Sequence, residues 1–559
     1  MTAQEGLIPG NAGESDAPEE ATASSAPVRP VKGEVKRRPK PLVLIIIDGW
    51  GIGTPWGGNA IAIARTPMMD KYWRGYPHST LISFGQEVGL PKGERGNSEV
   101  GHLSLGAGRV VHQDLPAISN TITDGSFFKN SALIDVLSYA KGEQKNVHLM
   151  GLVSEGGVHS HIEHLFALLD LCHQQGVANV LIHMFCDGRD SSPTDALLFL
   201  ERLQKKIKQV GIGRVVTVSG RHFAMDRDKR WERVQKVYDA MTQGYGIKAA
   251  TPEQAIAQAY RHGSSDEFIP PTVIHRAEAP FEPVESGDVV ISFNFRADRA
   301  RQIAEALLDE KFTGFTRKAV VDNLRFVSFV FHKENDRQLK IIRAFRPEVV
   351  EESFSEVISK AHLSQLHIAE TEKYAHITYF FNGGREDPFE KEDRILIASP
   401  AVQTYNLQPA MATVQIADTV LKDMGGVRSL LGHDVIIVNF AAPDMVGHTG
   451  DFNATVTACE AVDQAIGRIA ETVLKLGGAV AITADHGNAE EMVNHRTGLH
   501  DTEHAADPVP FILVSAEPRF HAPLRSHGGL IDVAPTLLQV LDVPCPAVMT
   551  GISLIQTSG

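Results

Sequence analysis

The chain has 559 residues, 43% of them hydrophobic, enough to bury a sizeable core and to form more than one domain. Its 54 basic and 68 acidic residues leave a formal charge of -14, which argues against a nucleic-acid partner but not against a local arginine cluster that takes a small anion. No apolar run approaches the ~18 residues needed to span a bilayer, and the N-terminus lacks the basic-then-apolar secretory pattern, so no membrane partner is expected. Cys172, Cys186, Cys459 and Cys545 are widely spaced and form no CxxC pair, which suits reduced thiols and a cytoplasmic location.

Residues 1–40 are poor in large apolar side chains and are expected to form a disordered tail. Structure is expected from Leu42, with an all-apolar strand that ends in Asp48-Gly49-Trp50-Gly51 and reads as a central parallel strand. Ser98, in the polar stretch 93–102, is placed at a helix start, where free N–H groups favour a phosphoryl group; His102 reads as local structure. From about residue 115 strand-helix units repeat. Strands are expected over 147–153, 177–185, 215–218 and 289–293, and helices over 161–175, 193–209 and 228–241. The strands end in Asp187-Gly188-Arg189-Asp190, Ser219-Gly220-Arg221 and Asn294-Phe295-Arg296-Ala297-Asp298-Arg299. After about 346 come a loop over 384–394, helices over 411–424 and 453–475, strands over 435–440 and 479–484, and a helix-like spacing within 529–543. The domains expected are thus 41–115 with 346–559, interrupted by an inserted domain over 116–345.

Two constellations carry chemistry. Asp444 and His448 form a D-x-x-x-H pair that shares one face of a helical turn, and His504 could join it. Asp485 and His486 grip from a strand end, with Asp48 a candidate to join them. Mixed carboxylate and imidazole donors suit Mn²⁺ or Zn²⁺ better than an all-oxygen ion. Two divalent ions against three aspartates leave one net positive charge, which draws a phosphate and which a Ser98 alkoxide would neutralise. The second constellation is Arg189, Arg221, Arg227, Arg296 and Arg299, all placed in loops after strands, with Asp190 as a possible base and His159 as a partner.

Taken together, the motifs at 48–51, 96–102, 156–161, 187–190, 224–231, 294–299, 370–376, 443–448 and 485–488 resemble the cofactor-independent (2,3-bisphosphoglycerate-independent) phosphoglycerate mutases of the alkaline phosphatase superfamily, over roughly residues 40–559. The resemblance implies an α/β fold: an alkaline-phosphatase-like three-layer domain with a second, inserted α/β transferase domain. It implies two Mn²⁺ ions, one on Asp444, His448 and His504, the other on Asp48, Ser98, Asp485 and His486. Ser98 corresponds to the phosphorylated nucleophile, and His159, Arg189, Asp190, Arg221, Arg227, Arg296, Arg299 and Lys373 to substrate-binding and catalytic positions. The implied reaction interconverts 3-phosphoglycerate and 2-phosphoglycerate in a monomer whose domains close over the ligand.

The chain departs from the family pattern at Glu155, where Asp is common, and at Ala505, where Thr is usual and could hydrogen-bond behind the metal site. A simple phosphomonoesterase would not need the arginine insert, and the motifs between 187 and 299 argue against a phosphopentomutase. A sulfatase lacks support because no Cys/Ser-x-Pro-x-Arg segment accompanies the ligands. A non-catalytic metal-binding scaffold predicts missing ligands or a missing nucleophile, and none is missing.

Overall fold

The computed structural model describes residues 38–275, 280–329, 339–346, 348–425, 432–494 and 497–556. The tail expected over 1–40 lies, up to residue 37, outside the described residues. Two eight-stranded sheets organise the rest. The strands of the second, all within 147–343, fall in sequence between two strands of the first, His78–Ile82 and Gln365–Glu370.

The first sheet runs, edge to edge, Glu392–Ile397, Gln365–Glu370, Val435–Phe440, Leu42–Ile47, Ala479–Ala484, Val509–Ser515, His78–Ile82 and His527–Gly529. Its first five strands are parallel, and Val509–Ser515 is antiparallel to both its neighbours. All six side chains of Leu42–Ile47 are fully buried, worth about 1.5–3 kcal/mol each, which is why this run takes a central place. Register then sets the site. Ile47 lies opposite Phe440 on one side and Ala484 on the other, so Asp48 and Asp485 leave their strands side by side. Ile368 pairs with Val438, which sends the chain toward Lys373 from the same edge.

The second sheet runs Ile342–Arg343, Arg325–Ser328, Val289–Ser292, Val147–Leu152, Val180–Cys186, Arg214–Gly220, Thr272–Ile274 and Ile247–Ala249. Successive residues alternate between its faces. Val147 and Leu149 pack into the core beneath helices Ile162–Gln175 and Ala196–Val210. Met150 and Leu152 pack into a separate core with Val234 and Val237 of helix Trp231–Gln243 and Ile303 and Leu307 of helix Ala297–Leu308. Both faces are therefore covered, as the mostly parallel pairing requires.

Three expected elements differ for identifiable reasons. The helix expected from Pro193 starts at Ala196, because the Pro193 carbonyl accepts from the Asp266 N–H and the Asp266 carboxylate caps the Ala196 N–H at 2.8 Å. The helix expected from Asp228 starts at Trp231, because the Asp226 carboxylate gathers the N–H groups of Asp228 and Arg230. The expected loop over 384–394 ends early, in the edge strand Glu392–Ile397. That strand's outer side is only partly covered, so its sequence alternates weakly.

Candidate active site

The Ser98–Ala107 helix delivers the nucleophile. Asn97 caps it through the Val100 N–H at 3.1 Å and leaves Ser98 as its first residue. Two glycines bring the pieces together. Gly49 turns at φ +73 with no room for a side chain, since a Cβ there would lie 2.8 Å from Asp444 Cβ. Gly101 lets the helix rest on the strand end, where a Cβ would lie 2.6 Å from the Asp485 carbonyl oxygen.

The result is a dense polar cluster. Ser98 Oγ lies 3.1 Å from Asp48 Oδ1 and 2.9 Å from His486 Nε2. The Lys373 ammonium donates to Ser98 Oγ, Asp48 Oδ1 and Asp444 Oδ2, each at 2.7 Å. Asp48, Asp444, Asp485 and His486 are buried, and so is Lys373. Asp444 Oδ1 also faces His448 Nε2 at 3.3 Å and His504 Nε2 at 3.4 Å and accepts from Asn488 Nδ2 at 2.8 Å. Buried charges must be compensated. Burial would depress the Lys373 pKa, but Asp444, Asp48 and Asp485 outweigh it and raise it. Burial likewise opposes protonation of His486, and Asp485, Asp48 and Asp444 nevertheless bring it up to about 10. Burial pushes the Asp48 carboxyl upward and the Lys373 charge reverses that, leaving it well below the usual range.

This surplus of negative charge fits cations, and so does the donor chemistry. The Nδ1 atoms of His448, His504 and His486 face the carbonyls of Thr502 at 2.7 Å, Gly96 at 2.8 Å and Gly487 at 3.2 Å. An Nδ1–H held in this way turns each Nε2 toward the carboxylates and Ser98, on the side where an ion would sit. Asp485 Oδ2 is buried and accepts no hydrogen bond. Asp444, His448 and His504 offer ligand atoms within 4.8 Å of one another, as do Asp48, Asp444 and His486, and Asp48, His102 and Asp485. The first group is the expected set; the other two share Asp48, take His486 and Asp485 separately, and bring in Asp444 and His102, which the sequence did not assign there. Ala505 does not loosen these groups, because its N–H donates to the Gly487 carbonyl and His504 is oriented by Gly96 rather than by the neighbouring side chain.

A cleft of ≈1230 Å³ opens on this cluster. Ser98, Lys373, Asp444, His448 and His504 line it, as do Glu155, Gly156, His161 and Arg296. A smaller hollow of ≈750 Å³, beside Trp73, His78 and His527, holds none of the expected site residues. The other expected residues gather at the strand ends of the second sheet. Arg221, buried at 2% exposure, donates to Asp187 at 2.6 Å and Asp190 at 2.5 Å, and Arg189 pairs with Glu267 at 2.8 Å. Arg227 meets Asp298 at 3.3 Å, and Arg299 donates to the Met225 carbonyl at 3.2 Å. Burial and then the charges of Arg227, Arg221 and Arg189 depress Arg299, so four guanidinium groups share one field. Burial and Arg221 push His159 down to about 4, and its buried Nδ1 makes no hydrogen bond. Gly156, on the cleft wall, abuts Asp190, since a Cβ there would lie 2.7 Å from Asp190 Cβ. Arg221 and Arg299 stand on first turns of helices rather than in loops.

Sequence reasoning missed Asn439, Asn488 and the reach of His102. Asn439 left a signal: it is the polar residue in the buried run Val435–Phe440, and a buried amide needs partners.

Residues 118–334 match the family described as BPG-independent PGAM N-terminus. A 2,3-bisphosphoglycerate-independent phosphoglycerate mutase of Clostridium perfringens (strain SM101 / Type A) is 46% identical over 517 residues, covering 92% of this chain and 99% of the relative. A second, from Trichormus variabilis (strain ATCC 29413 / PCC 7937), is 49% identical over 526 residues, covering 92% and 95%. The crystal structure of Leishmania mexicana phosphoglycerate mutase at low cobalt concentration superposes with a TM-score of 0.61 at 28% identity, covering 94% of this chain and 99% of that one. With its serine set among aspartates, histidines and a buried lysine, the chain belongs to the 2,3-bisphosphoglycerate-independent phosphoglycerate mutases.

Proposed function

We propose that the chain interconverts 3-phosphoglycerate and 2-phosphoglycerate through a phosphoserine at Ser98, without 2,3-bisphosphoglycerate. The observation that carries this is a helix-start hydroxyl within hydrogen-bond reach of Asp48, His486 and Lys373, opening on a cleft that Arg296 also lines. Asp444, His448 and His504 would hold one divalent ion and Asp48, Asp485, His486 and Ser98 a second, Mn²⁺ by family resemblance. Bound there, the ions supply Lewis-acid charge that activates the serine hydroxyl and neutralises phosphoryl oxygens.

The Ser98 hydroxyl gives its proton to solvent, its Oγ attacks phosphorus in line, and the bond from phosphorus to the glycerate oxygen breaks. Lys373 gives the leaving alkoxide a proton. The helix start at Ser98 adds backbone N–H groups toward the phosphoryl oxygens. Arg189, Arg221, Arg227, Arg296 and Arg299 hold the freed glycerate by its carboxylate, with His159 as a neutral partner. Asp190, positioned by Arg221, takes the proton of the other hydroxyl, whose oxygen then attacks phospho-Ser98; the bond from phosphorus to Ser98 Oγ breaks, and the proton on Asp190 returns through solvent to Lys373. Keeping the alcohol bound makes the return step effectively unimolecular.

The architecture suits this division of labour. Residues 41–115 and 346–559 form an alkaline-phosphatase-like domain that carries the phosphoryl group, and the inserted domain over 116–345 retains the glycerate. The two close over the cleft to exclude water.

The test is turnover of 3-phosphoglycerate, coupled to enolase, in Mn²⁺-loaded protein without added 2,3-bisphosphoglycerate. Mass spectrometry of the quenched wild type is expected to find a phosphorylated Ser98 peptide, and Ser98→Ala is expected to abolish both that peptide and turnover. Normal turnover by Ser98→Ala would refute the mechanism.

A further inference from the structure

His102 lies one turn after Ser98 on the same helix and is fully buried. Its Nδ1 is 2.8 Å from the Ser98 carbonyl oxygen and 3.2 Å from Asp485 Oδ2. Its Nε2 is 3.1 Å from Asn439 Nδ2, which also lies 2.9 Å from Asp48 Oδ2. An amide NH₂ has two hydrogens and no lone pair to offer. It therefore donates one hydrogen to Asp48 and one to His102 Nε2, and the imidazole proton sits on Nδ1, facing Ser98 and Asp485. Each ring nitrogen is thus already engaged, which makes His102 a poor metal ligand despite its nearness to Asp48 and Asp485.

Hydrogen bonds thus join Asp48, Asn439, His102 and the Ser98 carbonyl into a chain, and His102 Nδ1 approaches Asp485 Oδ2 at 3.2 Å without a hydrogen bond to it. Together these contacts bring the ends of three neighbouring parallel strands against the first turn of the nucleophile's helix. The chain engages Asp48 through Oδ2, while Asp48 Oδ1 faces Ser98 and Lys373. None of its members touches His448 or His504, whose rings are set by Thr502 and Gly96 instead.

We propose that His102 and Asn439 are positioning residues that set the carboxylates of Asp48 and Asp485 for the divalent ion beside Ser98, and leave the ion of Asp444, His448 and His504 untouched. The inference rests on the dinuclear reading above. Partners behind metal ligands are worth about 10–100-fold in affinity.

The full-length protein is stripped of metal and titrated with Mn²⁺, with free Mn²⁺ followed by electron paramagnetic resonance. Wild type is expected to bind two ions. His102→Phe keeps the ring's bulk and removes both links, and is expected to weaken one of the two ions about 10–100-fold with the other unchanged. His102→Asn keeps a donor near the Nδ1 position and is expected to recover part of the loss. Asn439→Ser removes the amide without touching the helix and is expected to weaken the same single ion. Unchanged affinity for both ions in His102→Phe and Asn439→Ser overturns the proposal, and so does equal weakening of both ions, which marks a general structural effect. A wild type that binds fewer than two ions overturns the dinuclear reading itself, a result distinct from either.

Discussion

Gly101→Ala separates geometry from stability at the nucleophile. An added Cβ would lie 2.6 Å from the Asp485 carbonyl oxygen, 2.8 Å from Asp485 Cβ and 3.1 Å from its carbonyl carbon. Comfortable carbon contacts are about 3.5–4.0 Å, so roughly 1 Å of room is missing. The obstacles are backbone and Cβ atoms, which cannot swing aside, so the Ser98 helix and the Asp485 strand end must part. Overpacking costs about 1–3 kcal/mol, and replacing a helical glycine by alanine returns about 1 kcal/mol, so the net loss of stability is at most about 2 kcal/mol. Catalysis suffers more, because a misplacement of ~1 Å costs about 100-fold. The loss is expected in kcat with KM nearly unchanged, since the arginines stand on the other sheet. Gly142→Ala is the control, because a Cβ at that helix end meets nothing within 4 Å. Enolase-coupled kinetics and denaturant unfolding on both variants give the comparison. Wild-type kcat in Gly101→Ala would show that Ser98 and Asp485 need not approach so closely, and the reasoning would fail.

Arg221→Lys exchanges a rigid, planar guanidinium, whose Nη1 donates to both Asp187 and Asp190, for a flexible ammonium. It is expected to lower kcat/KM at least about 10-fold by freeing Asp190, while phospho-Ser98 still forms on mixing with substrate; loss of the phosphoserine as well would place Arg221 in the first transfer. His433 is bonded to Asp423 at 3.0 Å and faces Asp393 at 3.0 Å, and these carboxylates raise its pKa above 6.5 against the pull of burial. The folded protein holds this proton more tightly than the unfolded chain, so the stabilisation is complete below 6.5 and fades as pH rises through the elevated folded value. The difference in thermal midpoint between wild type and His433→Gln is expected to shrink across that range; a gap that grows with pH contradicts the assignment.

Much of the architecture was open to reading because it rests on local chemistry. Leu42–Ile47 is apolar throughout, Val435–Phe440 and Ala479–Ala484 are apolar but for Asn439 and Thr483, each run is followed within four residues by an aspartate, and the three are indeed adjacent parallel strands. The Asn97 cap that starts the Ser98 helix depends on near neighbours in sequence, as does the i,i+4 pair Asp444 and His448. Other boundaries were hidden because their cause is remote: Ala196 starts its helix under a cap from Asp266, and Glu392–Ile397 is a strand only because Gln365–Glu370 lies beside it.

The sequence by itself determined which residues can do the chemistry, since only certain side chains ligate, attack or clamp an anion, and it set the strand runs that carry them. The tertiary structure alone decided how they meet. Strand register put Asp48 beside Asp485, and two glycines without side chains let the helix and the loops approach. Lys373, separated by hundreds of residues from Asp48 and Ser98, came to rest between them and Asp444. His102, which reads as local structure, came to stand 3.2 Å from the Asp485 carboxylate and to reach Asp48 through Asn439. These are long-range distances, fixed by packing and register, and no local preference of the chain encodes them.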